Sequence, residues 1–165
     1  MKKTLLALSL AGICILLAGC SDNSGKSSGD SSNNSTVNST TAETPAEKAE
    51  ELLNTINFPE MVQVRGTNLE ASLGIKEEEL EDFAVYRCGS GAYPDEFGII
   101  VVKDSGNVMK VKSAVKDWID FQSDSYRDYK PEQMYKLDDS FVSVNGKTVT
   151  YAICEDNSKA REILG

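Results

Sequence analysis

The residues of this 165-residue chain that could do chemistry are four cysteines, several runs of carboxylates and the Ser158-Lys159 pair, and there is no histidine. The missing histidine removes Ser-His-Asp and Cys-His catalysis, His-ligated zinc and imidazole-based pH switching. Chemistry by carboxylates, lysine or tyrosine is left. The acidic run Glu77, Glu78, Glu79, Glu81, Asp82 lacks the alternating oxygen ligands, central glycine and closing glutamate of a calcium loop. It reads instead as a solvated acidic helix start. Asp138-Asp139 reads as turn residues ahead of an edge strand. Ser158 and Lys159 are adjacent, and adjacent residues do not face each other on a helix. Trp118 sits at core spacing in a long helical stretch. Tyr126, Tyr129 and Tyr135 cluster with Arg127, Lys130 and Pro131, either as a packed corner or as a binding surface of amphipathic side chains.

Of the cysteines, Cys20 has the most specific setting. It follows Leu17-Ala18-Gly19 at the end of an apolar run that begins after Lys2 and Lys3. That run is shorter than the about 20 residues a bilayer span needs, and its basic start, apolar middle and small final residues are those of a secretory signal. Leu17-Ala18-Gly19-Cys20 resembles the lipobox of bacterial lipoproteins. The resemblance implies removal of residues 1–19 and attachment of lipid to Cys20, with the protein held at the extracytoplasmic face of the cell membrane. Cys14 leaves with the signal. Cys88 and Cys154 then stand in a compartment that permits a disulfide, or are two half-buried thiols that act as small hydrophobes.

Cleavage takes the formal net charge from −9 to −11, because Lys2 and Lys3 leave and no acidic residue does. So acidic a chain lacks the basic footprint for nucleic acid and for electrostatic hold on an anionic membrane. Residues 20–43 are the cysteine expected to carry lipid and a stretch almost all Ser, Asn, Thr, Gly and Asp, with only Val37 and Ala42 apolar. Such a composition buries too little to fold. A coil of that kind reaches roughly 25–30 Å, enough to hold a domain off the membrane. One domain is expected over residues 44–165.

Within it, Thr44-Pro45-Ala46-Glu47 is a capping box with proline at the first helical position. Ala46, Ala49, Leu52, Leu53 and Ile56 supply the apolar face. Short turns are expected over Asn68–Leu73, closed by Gly74, and over Glu77–Asp82. Strands follow at Ala84–Cys88 and Phe97–Lys103. The longest helix is expected from Asn107 to about Tyr126, ended by Lys130-Pro131. A hairpin follows, Ser140–Val144 and Lys147–Cys154 about an Asn145-Gly146 turn, and a short helix, Ser158–Leu164, ends the chain. The fold class is α+β: a two-layer domain with a mainly antiparallel four-stranded sheet, β-β-α-β-β-α after an N-terminal helix, one face covered by the long helix and the other wetter.

Several pieces together carry a family resemblance. They are Leu73-Gly74-Ile75 ahead of an acidic turn, Glu96 before Ile99-Ile100-Val101-Val102, Tyr129-x-Pro131-Glu132-Gln133 after the long helix, and the Asn145-Gly146 hairpin followed by Asp156. Over residues 45–165 the chain resembles the domain-of-unknown-function family 4358, small lipoproteins of Gram-positive bacteria. The resemblance implies a lipid-anchored extracytoplasmic domain and no activity. Tyr129, Pro131, Glu132 and Glu96 match the pattern, with no role to carry over. They are the candidate binding surface.

The expected function is therefore a non-enzymatic binding or accessory module. Its partners are the membrane, through lipid on Cys20, and an envelope protein or wall polymer. No cofactor and no metal is expected. A second reading is a carboxylate-dependent envelope hydrolase or transferase with Glu96 or Glu132 as acid or base, which needs two carboxyls about 5–10 Å apart in one cleft. A third is a small solute-capture lipoprotein, which needs a deep pocket with convergent polar groups.

Overall fold

The structure, a computed structural model, describes residues 43–165. The predicted signal, Cys20 and the tether as far as Ala42 lie outside the described residues. Helix α1 (Pro45–Thr55) begins as its capping box predicts. The Thr44 hydroxyl accepts from the Glu47 amide at 3.2 Å, and the Glu47 carboxylate accepts from the Thr44 amide at 2.8 Å. Its buried face is Pro45, Ala49 and Leu52, continued by Ile56. Ala46 and Leu53 are exposed, because the buried stripe is a single narrow row and each lies one residue, about 100°, round from it.

Strand β1 (Met61–Gln63), helix α2 (Thr67–Leu73), strand β2 (Leu80–Cys88) and strand β3 (Glu96–Val102) come next. Helix α3 (Val108–Tyr129), helix α4 (Met134–Asp138), strands β4 (Phe141–Asn145) and β5 (Thr148–Ile153), and helix α5 (Asn157–Leu164) complete the order. Gly74 closes α2 in the left-handed region, φ 61°, its amide returning to the Glu70 carbonyl at 2.8 Å. The acidic turn is a single 3₁₀ turn, Glu77–Glu79, and β2 starts directly after it.

The sheet has five strands, not the expected four, in the order β1-β2-β3-β5-β4, with every neighbouring pair antiparallel. The additional strand, β1, has three residues, too few to show alternation in sequence. The connection from β3 passes through α3 to the edge strand β4, and β5 returns into the gap between them.

Helices lie on both sides of the sheet, which corrects the two-layer expectation. On the α3 side, Val85, Ile100, Val149, Tyr151 and Ile153 pack with Val111, Val115, Ile119 and Tyr126 of α3 and with Leu69 and Leu73 of α2. On the other side, Ala84, Phe97, Ile99 and Ala152 pack with Ala49, Leu52 and Ile56 of α1's face and with Ala160, Ile163 and Leu164 of α5. The alternation of Val149, Tyr151 and Ile153 is as expected, but Thr150 and Ala152, between them, are buried too. Each large side chain so enclosed contributes about 1.5–3 kcal/mol, so the second layer is a substantial part of the core. Gly98 makes room for the central ring of the α3-side core. A Cβ there would stand 2.9 Å from Tyr151 Cζ and closer still to Cε1.

Candidate functional site

The first two residues of the Asp95-Glu96-Phe97 run are carboxylates at the mouth of a strand, and both are fully buried. Successive strand residues point to opposite faces, so the two enter different surroundings. Glu96 turns under α3. Its Oε2 accepts from Arg87 Nε at 2.6 Å, Trp118 Nε1 at 3.0 Å and Gln122 Nε2 at 3.1 Å. Its Oε1 accepts from Tyr151 Oη at 2.8 Å and Arg87 Nη2 at 3.1 Å. The register puts Arg87 directly across from Glu96 on β2, and Trp118 and Gln122 lie one turn apart on α3. The Arg87 guanidinium also lies over the Trp118 ring, 4.5 Å from its centre. Burial alone would lower the Arg87 pKa, but the hydrogen bonds and charge of Glu96 outweigh it and hold the guanidinium above its ordinary value. Burial, with the Glu96 charge and hydrogen bond, raises the Tyr151 phenol well above its usual range.

Among the described residues Asp95 meets a single cation. Lys136 Nζ, from α4, donates to Asp95 Oδ2 at 2.9 Å and Oδ1 at 3.2 Å. Glu155 Oε2 lies 3.6 Å from the same amine and accepts a hydrogen bond from the Tyr135 hydroxyl. The backbone at Lys136 is held by buried Asn157, whose Nδ2 donates to the Lys136 carbonyl at 3.1 Å and to the Cys154 carbonyl at 3.2 Å. Burial raises the Asp95 carboxyl above its ordinary value, and Lys136 only partly offsets this.

The predicted surface of Tyr129, Pro131, Glu132 and Glu96 does not assemble. Tyr129, Pro131 and Glu132 are exposed where α3 gives way to a 3₁₀ turn, Pro131–Gln133, while Glu96 is enclosed in the core. The pattern therefore combines an exterior corner with an interior ion pair. Of the three tyrosines, Tyr126 packs inward and its hydroxyl donates to the Gly91 carbonyl at 2.9 Å. Cys88 and Cys154 are free, buried thiols. Of the two readings of these cysteines, free thiols hold and a bridge does not form, because Cys88 ends β2 and Cys154 follows β5, with β3 between them. Two strand spacings are about 9–10 Å, beyond the Cα separation a disulfide tolerates. Carboxylates of the acidic run are taken up by lysines and a backbone amide: Glu79 by Lys110 at 2.9 Å, Glu81 by Lys147 at 3.5 Å, and Glu77 by the Gly66 amide at 2.6 Å. Asp138 and Asp139 do precede an edge strand, with Asp139 paired to Arg161 at 3.3 Å.

Reading the sequence missed Arg87, Asp95, Gln122, Lys136 and Asn157. Gln122 carried a signal, since it continues the α3 stripe of Val111, Val115 and Ile119, where a polar residue must find a buried partner. Lys136 carried none.

Among the described residues the sheet also leaves an open edge. The hairpin loop is Gly146-Lys147, closed by the pair Asn145–Thr148, one residue later than the expected Asn145-Gly146, with Gly146 at φ 57°. The Lys147 carbonyl accepts from the Val102 amide on β3 at 3.1 Å. By alternation, Phe141, Ser143 and Asn145 bond to β5, and Val142 and Val144 turn their backbone groups outward. Beside this edge runs a groove of about 510 Å³ against α3, lined by Lys112, Lys116, Arg127, Asp138, Phe141 and Val142 among others. Among the described residues no helix is long and apolar enough to cross a membrane.

No curated protein and no solved structure matches the chain. A family model does match, over residues 54–154, a span that holds both buried carboxylates, Arg87, Lys136 and all five strands, and by that match the chain belongs to the domain-of-unknown-function family DUF4358.

Proposed function

We propose that the protein is a lipid-anchored accessory module of a Gram-positive cell envelope, held at the outer face of the membrane through Cys20, and that it binds a partner without transforming it. The anchor and tether rest on the lipobox and on the composition of residues 20–43. The observation that carries the binding role is the free edge of β4. Its five residues, Phe-Val-Ser-Val-Asn, contain no charge and no proline, the devices that usually protect an edge strand from pairing. The groove next to it offers Lys112 and Lys116, neither of which has an ion-pair partner among the described residues. In a chain of net charge −9, that combination suits an extended, acidic segment of another envelope protein, added as a sixth strand by backbone hydrogen bonds.

A photo-cross-linking residue placed at Val144 in the full chain tests this in intact membranes. One recurrent envelope protein should be captured, and its capture should fall at least tenfold when Lys112 and Lys116 are both changed to Glu. Repeated absence of a specific adduct would remove the reading. The hydrolase alternative is poorly supported, because Glu96 is saturated by five hydrogen bonds inside the core while Glu132 lies outside it.

A further inference from the structure

Helix α3 carries a groove on each flank. The flank towards β4 has the groove already described, and the flank towards α2 and β1 has another. This second groove consists of two adjoining recesses of about 400 and 340 Å³, which share Ala71, Ser72 and Trp118. That is the size range of small-ligand sites. In one recess Phe121, 61% exposed, lies against Trp118, with ring centres 5.4 Å apart and planes 26° from parallel. Exposed Asp117 stands beside this aromatic pair, and exposed Gln63 and Asn68 line the other recess. Arg87 lines that recess too. Its Nε and Nη2 are spent on Glu96 at 2.6 and 3.1 Å, and its guanidinium is held over the Trp118 ring, 4.5 Å from the centre. Arg87 Nη1 has no acceptor among the described residues and keeps contact with solvent, the side chain being 26% exposed. The guanidinium is thus fixed along one edge and one face, with its remaining edge open.

Glu96 offsets the Arg87 charge, so the open edge is a positioned donor with little net charge behind it. Such a donor suits a neutral carbonyl oxygen, whereas an added carboxylate would be repelled by Glu96. The groove is shallow and open, without the deep pockets that select peptide side chains. A flat ring with apolar C–H faces and a rim of hydroxyls matches it better. Phe121 offers the ring face, and Asn68, Gln63 and Asp117 offer directional donors and acceptors. We propose that this groove between α2, α3 and β1 binds an N-acetylated amino sugar of a polysaccharide. A pyranose face packs on Phe121, hydroxyls bond to Asn68, Gln63 and Asp117, and an acetamido carbonyl accepts from Arg87 Nη1. Glu96 is a positioning residue that fixes the guanidinium from inside the core. The site is separate from the β4 edge, since α3 lies between the two grooves, and it does not depend on what that edge binds.

The chain has one tryptophan, Trp118, so its fluorescence reports on this groove. The full chain, purified from membranes in a detergent without a sugar headgroup, is titrated with chitotetraose, the tetramer of N-acetylglucosamine. Fluorescence should change saturably, with half-saturation below about 1 mM. Cellotetraose keeps the linkage and has a hydroxyl in place of each acetamido group. It should bind at least tenfold more weakly, for want of the bond to Arg87. F121A should weaken chitotetraose binding about fivefold. M109A, at a similarly exposed residue of α3 outside the groove, should leave it unchanged, with circular dichroism confirming both folds. No saturable change in fluorescence or in heat up to about 10 mM sugar would overturn the site, as would undiminished binding in F121A. Equal binding of cellotetraose would overturn the contact with Arg87 and with it the choice of an N-acetylated sugar.

Discussion

Glu96 is a buried carboxyl group that the fold surrounds with donors, and its removal exposes how many side chains depend on it. Glu96→Ala leaves Arg87, Trp118, Gln122 and Tyr151 without their shared acceptor. Loss of one partner of a buried pair costs about 3–5 kcal/mol, and urea unfolding of the variant should show a loss of that size. The cysteines give a second residue-scale prediction. Burial pushes the Cys154 thiol up to about 12. At Cys88 burial also acts upward, but hydrogen bonds from Ser90 and the Tyr93 backbone outweigh it and bring the thiol below its ordinary value. The thiolate is the reactive form, so iodoacetamide labelling of the native protein at pH 8 should modify Cys88 first. As pH rises from 8 to 11, Cys154 should continue to gain reactivity about tenfold per pH unit after Cys88 has levelled off. Equal rates at both thiols would contradict these environments.

At the scale of elements, local signals were strongest where one residue settles a terminus. The Thr44–Glu47 box opens α1, and Thr44→Ala should cost about 1 kcal/mol in thermal or urea unfolding. Gly74 ends α2, and Asp156 caps α5 by accepting from the Lys159 amide at 2.8 Å. The hairpin shows how a strong local signal is moved by one residue. Asn145-Gly146 favours a turn, yet Asn145 pairs with Thr148. The neighbouring strand contributes to that outcome, because the Val102 amide takes the Lys147 carbonyl and draws the start of β5 into the sheet. Strand β1 and helix α4, of three and five residues, are shorter than any periodicity can report. They exist because β2 offers a partner and because Lys136 and Leu137 have a buried place to go.

For the whole molecule, the proposed anchorage has the most direct test. Cys20→Ala should move the protein from the membrane fraction to the soluble fraction, with the folded domain unchanged by circular dichroism. Mass spectrometry of the natural chain should show lipid on Cys20, and an unmodified Cys20 N-terminus in membranes would refute the anchor. The net negative charge would add nothing to the proposed attachment, since anionic lipid repels it.

Sequence alone determined the α+β class and the positions of the long elements, because these follow from periodicity, caps and turn residues that act within a few positions, and its motifs carried the family resemblance that the family model bears out. The proposed lipobox and tether rest on the same kind of local reading. Only the tertiary structure decided that helices cover both faces of the sheet, since α1 and α5 lie far apart in the chain and meet over Ile99 and Ala152 only after folding. It alone separated Cys88 from Cys154 by a strand, sent Glu96 inward and left Glu132 outside. It also brought Asp95 to Lys136, 41 residues away. A contact of that kind depends on register and crossover, and neither is written in the spacing of any single segment.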